Sequence, residues 1–186
     1  MSVKITTGTV RFSYLNVFKP RAINDGKEKY SATLLLPKSD KAGVQKVKKA
    51  IEEAKKQGAA EKWKGKVPAN LWNPLRDGDV EKADEHPEYA GMYFINAKSD
   101  NRPILFDQMK EEILDPTEIY SGCWGRANIS LYAFDTNGNR GIGVGLNALM
   151  KKRDDEPFGN MVTADSARRD FDDDDYDDDD DDDMLG

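Results

Sequence analysis

The chain has 186 residues, 38% of them hydrophobic, a formal net charge of −7 and a single cysteine, Cys123. One cysteine excludes a disulfide framework and a cysteine-built metal cluster, and no apolar run of ~18 residues offers a membrane span. Met1-Ser2-Val3-Lys4 runs straight into a strand pattern without a leader, so a soluble, cytoplasmic protein is expected.

Residues 3–12 are rich in β-branched side chains and predict a strand. Residues 14–27 mix aromatic and basic side chains with turn signals at Pro20 and Asn24-Asp25-Gly26, and predict a loop. In that loop Tyr14, Lys19 and Arg21 are candidate ligand contacts, and Phe18 serves packing or stacking equally well. Residues 29–36 predict a second strand. Ser39-Asp40 supplies a helix N-cap, Val44, Val47, Ile51 and Ala54 a buried stripe, and Gly58 a stop just after Gln57. The helix lysines are a solvated face or a flank for phosphates.

Residues 58–91 read as irregular, and a connection this long is a binding element or a flexible insertion. Within it Asp77 and Asp79, near Asp84 and Glu85, offer either Mg²⁺ ligands or an ordinary Arg-Asp-Gly-Asp turn. His86 is the single histidine and has no identifiable partner. Residues 92–98 predict a third strand, 104–106 a brief one, and 122–134 and 140–150 two long strands around a tight turn at 135–139. About five strands, one main helix and long loops predict a mainly β fold, a small barrel.

The strand at 122–134 carries the sharpest signal. Side chains alternate between its faces. Cys123, Gly125, Ala127, Ile129, Leu131 and Ala133 suit a barrel interior. Trp124, Arg126, Asn128, Ser130, Tyr132 and Phe134 form a face that is aromatic, cationic and polar at once. Rings stack on unpaired bases of any sequence and cations neutralise phosphate, so such a face selects single strands. Packing of Trp124, Tyr132 and Phe134 under long loops is the competing reading. In the returning strand Ile142, Val144, Leu146, Ala148 and Met150 are assigned inward, with Gly141, Gly143, Gly145 and Asn147 opposite. The glycines either admit a ligand close to the backbone or relieve crowding. Arg140, Lys151 and Lys152 complete the candidate DNA-binding set.

Residues 170–186 hold twelve Asp and no cation, leaving residues 1–169 with 28 Lys and Arg against 23 Asp and Glu, a charge of +5. Such a tail cannot pack a core and is expected to be disordered. A basic body with an acidic tail fits a polyanion binder carrying its own tethered competitor, at about millimolar effective concentration. Phe171, Tyr176, Met184 and Leu185 add apolar anchors for partner docking. Solubility and weak divalent-cation binding are the plainer roles. Residues 1–158 are expected to form the binding domain and 159–186 the linker and tail, with the linker reading beginning as early as residue 154.

Several stretches together resemble a known family: residues 30–38 (Tyr-Ser-Ala-Thr-Leu-Leu-Leu-Pro-Lys), 75–79 (Leu-Arg-Asp-Gly-Asp), 87–91 (Pro-Glu-Tyr-Ala-Gly), 119–124 (Ile-Tyr-Ser-Gly-Cys-Trp), 138–142 (Gly-Asn-Arg-Gly-Ile) and Leu146-Asn147. They are similar to the phage-encoded single-stranded DNA-binding proteins of oligonucleotide-binding (OB) fold, first catalogued as a domain of unknown function. The resemblance implies an OB-like five-stranded barrel, single-stranded DNA as partner, no cofactor, and work in phage replication or recombination in the host cytoplasm. It also implies that the tail at 170–186 recruits replication proteins such as a polymerase, a helicase or recombination factors. The rival functions are a Mg²⁺-dependent nuclease and an RNA or histone-like chaperone; the expectation is a binder, not an enzyme.

Overall fold

In the computed structural model, which describes residues 2–22, 26–158 and 171, the strands are β1 (Val3–Thr6), β2 (Val10–Ala22), β3 (Glu28–Pro37), β4 (Arg76–Asp77), β5 (Met92–Ser99), β6 (Ile104–Phe106), β7 (Trp124–Thr136) and β8 (Asn139–Arg153). Helices α1 (Lys41–Glu61) and α2 (Gly78–Glu81) and a 3₁₀ turn at Pro87–Tyr89 lie between β3 and β5. Strands β2, β3, β5, β8 and β7 pair in that order, and the β7–β2 pairing closes a five-stranded, OB-like barrel. The β5–β8 contact is its parallel pairing. β1 flanks β7, and β6 runs parallel to β8.

The alternation read from the sequence explains the interior. Phe12, Leu34, Ile95, Ala127, Ile129, Leu131, Ile142, Leu146 and Leu149 are fully buried or nearly so, each large one contributing ~1.5–3 kcal/mol by leaving water. Asp40 starts α1 as expected, its carboxylate accepting from Gly43 N at 3.1 Å, and Val47, Ala50, Ile51 and Ala54 are buried in the same core. Asn137 and Gly138 both take positive φ, 52° and 85°, the two-residue turn that matches strand twist. No described helix is long and apolar enough to cross a membrane.

Four local expectations are corrected. The strand at 3–12 is two strands, because Thr7 turns inward and exchanges hydrogen bonds with Ala127. The loop at 14–27 is largely strand: β2 continues to Ala22, its register slipping beside Tyr14, which sits at φ 46°. Gly58 does not stop α1. A Cβ there would stand 2.4 Å from Ala133 Cβ, so glycine serves a close helix–strand approach, and the helix runs on to Glu61. Finally, Ala148 and Met150 do not face inward. Opposite Asn128 and Ile129, β8 supplies Ala148 and Leu146, leaving Asn147 as an extra residue. This bulge shifts the phase by one, so Leu149 is the buried residue. The acidic tail lies outside the described residues, Phe171 apart.

Candidate nucleic-acid interface

The outward face of β7 divides into two halves with different fates. Towards the hairpin tip, Tyr132 and Phe134 stand beside Gly143 and Gly141 of β8. A Cβ on Gly143 would meet the Tyr132 ring at 2.5 Å, and one on Gly141 would meet Trp72 at 2.8 Å and Phe134 at 3.1 Å. These two glycines therefore let rings lie against the backbone, whereas Gly145 has only ordinary contacts, none closer than 3.8 Å. Trp72 reaches this position because its stretch is stitched to β8: Trp72 N donates to Arg140 O at 2.9 Å, and Ile142 N donates to Trp72 O at 3.2 Å.

The result is an open groove of about 1310 Å³, lined by Trp72, Tyr132, Phe134, Lys29, Lys98 and Arg140 among others. Tyr132 and Trp72 are each 42% exposed, so both rings present apolar area to solvent. Lys29 pairs with Asp100 at 3.5 Å and Arg140 with Asp135 at 3.2 Å, exposed contacts of small worth that a phosphate can replace. The volume exceeds the ~300–1,000 Å³ usual for small-molecule sites and suits a polymer.

Towards the other end, Trp124 is half-buried and held in place. Its indole N–H donates to Asp155 Oδ2 at 2.7 Å, a bond that holds that carboxyl below its ordinary value. The Arg153 guanidinium lies 4.5 Å from the Trp124 ring, and Arg11 lies 5.8 Å from it and 4.3 Å from Phe158. Lys151 does not project freely: it pairs with Asp154 at 2.6 Å, donates to Glu118 O and sits 5.2 Å over the Tyr120 ring. Burial opposes the Asp154 charge, but Lys151 and the Tyr120 hydroxyl keep its carboxyl below the usual range. Phe158 N donates to Ser121 O at 2.9 Å, so residues 154–158 strap across this half.

Between the halves lies a polar lattice. Arg126 Nε donates to Thr7 O at 2.8 Å. The amide of bulge residue Asn147 donates to Asn128 Oδ1 and Ser130 Oγ, both at 2.9 Å, and Asn128 donates to Thr6 Oγ1 at 3.1 Å.

The other predicted residues scatter. Arg21 and Lys19 are exposed on β2, and Arg21 pairs in register with groove residue Lys29. Lys152 is exposed, its carbonyl accepting from the Gln108 amide. Tyr14 stands in another cluster, edge-on to His86 at 6.3 Å, followed by Tyr89 and Phe94. Burial pushes the Tyr89 hydroxyl up to about 12. Asp77 and Asp79 share one cation of the chain itself, Lys38 Nζ at 2.6 and 2.7 Å. The ammonium stands where a metal between them would stand. Burial raises the Cys123 thiol to about 11, leaving it protonated and inert.

Sequence reasoning missed Trp72, Lys29 and Lys98 as lining residues. Lys29 and Lys98 alternate correctly for outward positions on β3 and β5; Trp72 had only its place in a long connection to mark it.

Residues 3–185 match the family described as Enterobacter phage Enc34, ssDNA-binding protein. The single-stranded DNA-binding protein from bacteriophage Enc34, in a structure in complex with ssDNA, is 35% identical, with a TM-score of 0.73 over 84% of this chain and 90% of that one. Putative protein p50 of Acyrthosiphon pisum secondary endosymbiont phage 1 is 29% identical over 84% of this chain and 86% of its own. The gp2.5 single-stranded DNA-binding protein encoded by bacteriophage T7, at 16% identity and a TM-score of 0.60 over 91% of this chain and 94% of that one, shares the fold. By the family match and this barrel, the chain belongs to the Enc34 single-stranded DNA-binding protein family of bacteriophages.

Proposed function

We propose that this chain binds single-stranded DNA with little sequence preference, stacking bases on Trp72, Tyr132 and Phe134 while Lys29, Lys98 and Arg140 neutralise phosphates. The observation that carries this reading is the open groove of three rings and three cations. It lies over the second and third barrel strands and beside the turn joining the last two, the surface OB barrels use for oligonucleotides. The solved complex of the Enc34 relative with ssDNA supports it. Arg126 and Asn128 lie on the same outward face of β7 and Arg21 lies in register with Lys29, so these three flank this path, whereas Lys19 and Lys152 are exposed elsewhere. Trp124 and Lys151 serve the fold rather than the strand in this reading, being engaged within the protein, and Tyr14, though 49% exposed, stands outside the groove lining.

Residues 1–158 act as the binding unit in this reading, in phage replication or recombination within the host cytoplasm. The tail at 170–186 competes with DNA for the groove and, once displaced, docks basic surfaces of replication proteins. The protein is a binder rather than a nuclease, since Lys38 already neutralises Asp77 and Asp79.

A titration of oligo-dT, the matching RNA and duplex DNA at one salt concentration tests the reading. Single-stranded DNA is expected to bind far more tightly than duplex, with affinity falling steeply as salt rises, and labelled strands to survive incubation with Mg²⁺. Equal affinity for duplex overturns stacking as the selective force. Deleting 170–186 is expected to tighten binding at low salt; unchanged affinity there removes the tail from the groove.

A further inference from the structure

Beyond Arg140 the groove continues. A second cavity, about 490 Å³, shares Ala69 and Arg140 with it and is lined by Lys62, Lys64, Lys66 and Arg140 against a single carboxylate, Asp135. Its lining includes no exposed ring. Trp63 is 6% exposed, and a Cβ on Gly58 would stand 2.7 Å from Trp63 Cζ3. That buried indole pins the turn. Trp63 N donates to Gly58 O at 2.9 Å, and Lys66 N to Trp63 O at 3.2 Å. Lys64 at φ 54° and Gly65 at φ 84° complete the reversal. Three exposed lysines on alternate residues are thus held on a fixed turn, so little backbone entropy is lost when they meet an anion.

Resting on the single-strand reading of the groove, we propose that the turn at residues 62–66 is a separate phosphate track for strands longer than the groove. It takes the sugar-phosphate backbone rather than stacked bases, because it offers four cations and no exposed ring, its apolar lining, the buried Trp63 apart, being Val67, Pro68 and Ala69. Arg140 belongs to both cavities and joins base stacking on one side to backbone neutralisation on the other. The excursion from the end of α1 to Trp72 then has one purpose along its length: lysines first, the stacking ring last.

The test is the salt dependence of binding by the full chain and by a Lys62→Gln/Lys64→Gln/Lys66→Gln variant, on oligo-dT of about six and about twenty nucleotides. Each phosphate neutralised adds about 0.7 to the slope of log K against log salt for single strands. The variant is expected to lose about 2 from the slope on the long oligonucleotide and nothing on the short one, with an unchanged Tm. A Lys→Arg triple at the same positions is expected to restore the slope. An unchanged slope on the long strand, or an equal loss on both lengths, overturns the track. If the unaltered chain binds neither length, the groove reading itself fails.

Discussion

Tyr132 lies across the backbone of Gly143, so close that a single methyl group on that glycine would meet its ring at 2.5 Å. Gly143→Ala is therefore expected to lift the ring and to cost single-strand affinity about as much as Tyr132→Ala, ~1–3 kcal/mol, the worth of one stacked base. In a double-mutant cycle the two losses should overlap rather than add. Full additivity would separate Gly143 from the ring.

Trp72 and Trp124 should part company under substitution. Trp72→Ala is expected to weaken oligo-dT binding by ~1–3 kcal/mol and to abolish most of the fluorescence quenching on binding. Trp124→Ala is expected to lower Tm with little change in affinity, because its indole holds Asp155 and packs near Arg153. A folded Trp124→Ala protein of normal Tm and poor affinity would return this residue to the DNA path.

Removing the strap's main anchors offers a complementary measurement. Asp155→Ala takes away the acceptor of the Trp124 indole and a neighbour of Arg11 at 3.6 Å. Loss of such a bond costs ~1 kcal/mol, and Trp124 emission is expected to shift to the red as water reaches it. An unshifted spectrum would mean that residues 154–158 do not shield the ring.

Acid should loosen the segment around α2. Lys38 holds the carboxyls of Asp77 and Asp79 below their ordinary values, and they in turn raise its ammonium. The carboxylate contribution is present above ~3.9 and is lost as pH falls through the depressed folded values. The Lys38 contribution is present below its ordinary value, ~10.4, and is lost only as pH rises through the raised one. Neutral pH thus keeps the clasp shut. Protection of the Gly91 amide, whose N–H donates to Asp79 at 3.0 Å, is expected to fall relative to its intrinsic exchange rate below about pH 4. Lys38→Met should remove that acid step; exchange indifferent to both would show that the clasp holds nothing.

The barrel was legible because its strands obey simple alternation: every inward position named on the strand at 122–134, from Cys123 to Ala133, is buried. The helix stripe at Val44, Val47, Ile51 and Ala54 was legible for the same reason, as was the Asn137-Gly138 turn. What alternation cannot reveal is an extra residue. The bulge at Asn147 reverses the phase of β8, so Leu149 took the place assigned to Ala148 and Met150. Nor can local pattern show who covers whom. Asp155, 31 residues after Trp124 in the chain, decides that Trp124 is engaged, and the bridge from Trp72 to Gly141 decides that Trp72 is in the groove.

The spare residue at position 147 makes the barrel unequally tolerant of changes in length. Codons added at the exposed hairpin tip would lengthen a turn and leave both flanking ladders in step. Losing the one codon for Asn147 would close the bulge and keep the ladder in step, with Ala148 still opposite Asn128 and Leu149 still opposite Ala127. Leu149 would stay inward and Met150 outward, and the loss would be confined to the side-chain amide that ties Asn128 to Ser130. Shortening of this sequence should therefore be accepted at the loop apices and at this bulge, and rejected in the regular stretch of β8 between Asn139 and Leu146, where one residue lost turns its neighbours to the wrong face.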